Sequence, residues 1–161
     1  MKGKEIIYSL LFEIIWFAFA AILVFVVLSL VRTSISTHFY EFLFGTGFLL
    51  ITYFRFIVWA YNSILLRSIW MKLLLFLANI PLFFYVLHYY GHFMQVFDNY
   101  VFDLPDTVFQ HINSGTDEKL PLIKWLTVIG GVGSLSMIVL MEIRVIWLIF
   151  KLRQLDRYIS R

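Results

Sequence analysis

The chain reads as an all-α membrane protein, a single-domain bundle of four transmembrane helices with one short surface helix in its long outer loop. Three observations predict this. Hydrophobic residues make up 61% of the 161 residues and charged residues only 14%, with a mean hydropathy of +0.87. A soluble domain carries about a quarter charged residues, and one this small has too little interior to hide so much apolar surface. The apolar residues also fall into four runs, each long enough to cross a hydrocarbon layer of about 30 Å. Finally, Lys and Arg are shared unevenly between the segments that join those runs.

Met1–Glu5 is short and basic, with Lys2 and Lys4. The first apolar run, Ile6–Val31, is broken only by Ser9, Glu13 and Ser29. Ala18-Phe19-Ala20 has the look of a signal-peptide cleavage site, but the apolar run continues well past it. A signal core is only about 7–15 residues long and rarely contains a Glu, so an uncleaved first helix is expected. Glu13 then has two readings: an interfacial residue one turn inside the membrane, or a buried partner for an intramembrane cation.

That cation is Arg55. It lies near the middle of the second run, Phe42–Leu66, with apolar residues for more than two turns on either side. A guanidinium at such depth costs roughly 3 kcal/mol on insertion scales, so it is expected to face protein or water. On a helical projection Gly45, Thr52, Arg55, Trp59, Asn62 and Ser63 fall within an arc of roughly 100°. This stripe is the expected inner face, because small and hydroxyl residues allow close helix approach in lipid.

Arg67–Met71 is a short turn, which makes helices two and three antiparallel neighbours. Helix three runs over 71–93 and is interrupted at Asn79-Ile80-Pro81, where the proline removes a hydrogen bond and favours a kink. Its far end, with Tyr85, His88, Tyr89, Tyr90 and His92, has an aromatic-belt composition. The outer loop, 94–121, carries Asp98, Asp103, Asp106, Asp117 and Glu118 against a single Lys119. Within it Leu104–Ile112 has the start and stop signals of a short surface helix. Helix four, 122–150, contains Gly130-Gly131-Val132-Gly133-Ser134, small residues that suit a tight helix contact, with Gly131 or Ser134 expected to meet Gly45 of helix two. Glu142 lies later on the face shared by Thr127, Gly131 and Ser134, whereas Arg144 points to nearly the opposite side. The tail, 151–161, is basic.

The cation count sets the orientation. Lys2, Lys4, Arg67, Lys72, Lys151, Arg153, Arg157 and Arg161 fall on one side, against Arg32, Lys119 and Lys124 on the other. Both termini are therefore expected in the cytoplasm, at a plasma or inner membrane, with the acidic loop outside. In this geometry Arg55, Glu13 and Glu142 lie from the middle of the membrane towards its cytoplasmic half, so Arg55 is expected to bond to Glu13 or Glu142, or to join both in a cluster, with Thr52 or Asn62 alongside.

Other chemistry is weakly supported. His88 and His92, four residues apart, have helical spacing for a shared ion or haem, with His38, Glu41 or His111 to complete it. Two histidines in a Tyr-rich interface are better explained as hydrogen-bonding residues, so no metal or cofactor is predicted. The acidic loop lacks calcium-loop spacing, and no nucleophile elbow, zinc-protease or phosphate-loop motif is present. With no cysteine there is no disulfide or thiolate chemistry, and a formal charge of +3 does not suggest nucleic acid. The reading is thus a non-enzymatic accessory or assembly subunit, with the bilayer and other membrane subunits (or copies of itself) as partners. The alternatives are a small transporter or channel using an intramembrane Arg/Glu cluster, and a His-ligated redox membrane protein.

Overall fold

The computed structural model describes residues 3–32, 35–58, 69–98 and 116–159, and these hold four helices and no strand. They are α1 (Gly3–Ser29), α2 (Thr37–Val58), α3 (Ile69–Asp98) and α4 (Thr116–Ile159). Each contains a stretch long and apolar enough to cross a membrane: Ile7–Ser29, Thr37–Val58, Ile69–Phe97 and Lys119–Lys151. The surface helix expected at Leu104–Ile112 lies outside the described residues, as do Trp59, Asn62, Ser63 and His111.

Helix ends differ from the apolar runs where polar residues continue or cap a helix. α2 begins at Thr37 rather than Phe42, because Ser36 caps it: Ser36 Oγ accepts from the Phe39 backbone N–H at 3.3 Å, and the Ser36 carbonyl accepts from Tyr40 N–H at 2.9 Å. α2 is described as far as Val58, one turn beyond Arg55. α3 continues through Pro81 and on to Asp98, and α4 starts at Thr116, so the outer loop loses residues to both helices.

The contacts define the topology. α2 packs most extensively on α4, α3 on α4, and α1 on α2. Early residues of α1 meet late residues of α2 (Glu13 with Arg55) and later ones meet its middle (Val24 with Gly47), so the two run antiparallel. The order reverses likewise between α2 and α3, where Phe39 meets Phe93 and Tyr53 meets Asn79. α2 and α4 ascend together, from Thr46–Gly130 to Leu50–Gly133, and are parallel. The first turns of α1 and the last turns of α4 therefore belong to the same end of the bundle.

α2 is the hub. Its contacts with α3 run through long side chains, among them Phe42 against Phe93 at 5.0 Å between ring centroids. The core gathers Val24 and Leu28 of α1, Phe39, Leu43 and Phe56 of α2, Val86 and Phe93 of α3, and Ile138, Met141 and Val145 of α4. The outer faces stay apolar, with Ile22, Trp70, Phe84 and Phe150 well exposed. A surface of that kind fits lipid or another protein better than water.

Candidate functional site

Arg55 leaves α2 towards α1. Its Nη1 lies 2.6 Å from Oε2 of Glu13, and the two residues are 3% and 5% exposed. Three rings enclose the guanidinium, those of Phe12, Trp16 and Phe56, with centroids 5.0, 5.5 and 5.6 Å from Cζ. The arrangement suits arginine in particular, since a planar, weakly hydrated cation can stack on aromatic faces while its edge donates to a carboxylate. It follows from spacing on two helices: Phe12, Glu13 and Trp16 share one side of α1, and Thr52, Arg55 and Phe56 one side of α2. Thr52 is buried beside the pair, and neither its Oγ1 nor Oε1 of Glu13 has a hydrogen-bond partner among the described residues.

Glu142 does not join this pair. It stands with a second polar group, built from three helices. Tyr53 of α2 donates its hydroxyl to Oδ1 of Asn79 on α3 at 2.5 Å, and the Asn79 amide lies beside the Glu142 carboxylate on α4. Of the two carboxylates expected as partners for Arg55, Glu13 is the one that meets it, and the three charges fall into two separate sites. The reason is rotational: Tyr53 and Arg55 are two residues apart on α2, about 200° around the axis, so one faces α3 and the other α1. Asn79 and Tyr53 were not expected site residues. Their sequence signal was modest, although Asn79 is the lone polar side chain between Lys72 and Tyr85. Lys72, counted above only for its charge, is itself 3% exposed.

The small residues pack differently from the expected pairing. A Cβ on Gly45 would meet nothing within 4 Å, so Gly45 makes no close helix contact. Gly131 lies against the Tyr90 ring of α3 rather than against α2. The close approaches of α4 to α2 come at Gly130, where a Cβ would stand 2.8 Å from Thr46 Oγ1, and at Gly133 against Leu50. Ser134 is buried, but its hydroxyl donates to the Gly131 carbonyl of its own helix at 3.0 Å.

The histidines are dispersed. His38 is highly exposed and 3.9 Å from Glu41, its neighbour one turn on. His88 and His92 are exposed and pack edge-on or tilted against Tyr89 and Phe93. Among the described residues no three His, Cys, Asp or Glu side chains come together as a metal-binding group.

Comparison with protein-family models, with curated proteins and with solved structures finds no match for this chain.

Proposed function

We propose that this chain is an integral membrane protein, with both termini on the cytoplasmic side, that serves as a non-catalytic accessory or assembly subunit of a larger membrane complex. The observation that carries the reading is the use made of Arg55. The one deeply buried cation of α2 is closed in by Phe12, Trp16 and Phe56 and neutralised by Glu13 of the neighbouring helix. An ion pair sealed in this way fastens α1 to α2; it is not placed for carrying ions. The exposed apolar faces of α1 and α3 then supply surface for lipid and for neighbouring subunits. A small transporter or channel built on an Arg55–Glu13–Glu142 cluster is disfavoured because Glu142 sits with Asn79 instead.

Purification from native membranes in a mild detergent tests the proposal. Specific membrane subunits are expected to co-purify in fixed ratio. A chain that elutes alone, and whose proteoliposomes show an ion or solute flux abolished by Arg55→Met, would overturn the subunit reading in favour of transport.

A further inference from the structure

The later turns of α4 carry another charged arrangement, on the far side of the helix from Glu142. Arg144, Trp147 and Lys151 lie within about 60° of one another around the axis. The guanidinium carbon of Arg144 stands 4.9 Å from the centre of the Trp147 ring, and the Lys151 ammonium 5.1 Å from the centre of the same ring. The two cations, separated by about 10 Å of helix at their Cα atoms, thus converge on the indole that lies between them. Their charges are within about 10 Å of each other, a distance over which salt at ~0.1 M screens only partly. Trp147 is 45% exposed, Lys151 is exposed and Arg144 half-buried, so the group is open at the surface of the bundle. Ile143 and Phe150, both well exposed, flank Trp147 on the side away from the cations. The ring therefore divides a charged edge of the helix from an apolar one.

We propose that this surface of α4 binds an anionic phospholipid, with its headgroup phosphate on Arg144 and Lys151 and an acyl chain along Ile143 and Phe150. The division of such a lipid into phosphate and hydrocarbon matches the two edges of Trp147, and an indole favours the boundary between headgroups and hydrocarbon. The place along the chain agrees. The apolar span of α4 ends at Lys151, at the end of the bundle where α1 begins. This is the proposed cytoplasmic side, and a leaflet that holds anionic lipid attracts basic residues there. A guanidinium presents paired donors that suit phosphate oxygens, and the flexible stem of a lysine lets its ammonium reach the same group. Two cations together select a headgroup of net negative charge, because a choline headgroup brings a positive charge of its own beside them. The site goes beyond the subunit reading: it rests on the chain being membrane-embedded and needs no partner subunit.

The test uses the purified full-length protein in detergent, titrated with phosphatidylglycerol or phosphatidylcholine and read by native mass spectrometry. One phosphatidylglycerol is expected to bind at least about tenfold more tightly than phosphatidylcholine, a measurement that needs no variant. Lys151→Gln, at an exposed position, should weaken phosphatidylglycerol by about fivefold and leave phosphatidylcholine unchanged, the size of effect expected for one cation beside an anionic lipid. Arg144→Gln should act in the same direction. Arg157→Gln, in the basic tail, should change the affinity by less than about twofold, well below the effect of one cation at the lipid surface. Equal binding of the two lipids overturns the proposal. So does an equal loss from Lys151→Gln and Arg157→Gln, which shows a diffuse attraction to the whole basic end instead of a site. Displacement of the lipid by an equal concentration of sn-glycerol 3-phosphate overturns it as well, and assigns the cations to a water-soluble phosphate. Co-purifying subunits bear on the subunit reading alone, whereas recovery of the chain in the soluble fraction without detergent overturns both.

Discussion

At the scale of single residues, the Arg55–Glu13 pair shows how a costly group becomes a fastening. Separating a buried pair by removing one partner typically costs about 3–5 kcal/mol, because the other charge is left without compensation. Arg55→Met alone should therefore destabilise the protein by about that amount, and Arg55→Met with Glu13→Gln by less than the sum of the two single changes. A double-mutant cycle on reversible unfolding in detergent is expected to give a coupling of about 1–3 kcal/mol. The same cycle with Glu142→Gln in place of Glu13→Gln should be additive, since Glu142 faces Asn79; strong coupling there would contradict the two-site arrangement. A second expectation concerns Tyr53, whose hydroxyl ties α2 to Asn79 on α3. Tyr53→Phe removes the bond and strands the Asn79 oxygen, a loss of about 1–3 kcal/mol in the same unfolding measurement. Arg55 was legible in the sequence as an inward-facing cation because a lone charge in an apolar run has few other places to go. Its choice of Glu13 over Glu142 was not, since both carboxylates lie at similar heights along their helices and only the rotation of α1 and α4 about α2 separates them.

At the scale of elements, α4 approaches its two neighbours through different glycines. Gly130 and Gly133 let it lie close to Thr46 and Leu50 of α2, while Gly131 receives the Tyr90 ring of α3. Gly131→Ala would drive a methyl into the base of that ring, and overpacking of this kind costs about 1–3 kcal/mol. Gly45→Ala meets open space and should be neutral, or stabilising by up to about 1 kcal/mol through helix propensity. Comparing the thermal stability of the two variants in detergent checks the assignment, and equal effects would contradict it. The Gly-rich stretch announced a close contact, yet glycines at successive positions point in different directions, so the stretch could not say which helix each would meet. Helix ends were also only partly legible. Apolar runs report where a helix can cross hydrocarbon, and the hydrogen-bonded helix goes further wherever polar residues continue it, as at Thr116–Pro121, or begins earlier where a cap such as Ser36 is available.

At the scale of the whole molecule, the antiparallel succession of α1, α2 and α3, with α4 parallel to α2, puts the start of α1 and the end of α4 at one end of the bundle. With the proposed cytoplasmic termini, a reporter fused after Arg161 should be active only in the cytoplasm and one placed within Gly115–Lys119 only on the outer side. Activity of both reporters on the same side would contradict the topology. By itself, the sequence determined the four apolar helices found among the described residues, because each backbone must satisfy its own hydrogen bonds when its side chains favour hydrocarbon, and composition records that directly. It also determined that Arg55 turns inward, since the stripe containing Thr52 is a property of one helix and its period. Only the tertiary structure decided which carboxylate neutralises Arg55, that Tyr53, Asn79 and Glu142 converge across three helices, and that Gly131 serves α3. Those outcomes depend on how each helix is rotated about its axis against its neighbours. That rotation is set by the packing of large side chains such as Phe39, Phe42 and Phe93 across the whole core, which no single segment encodes.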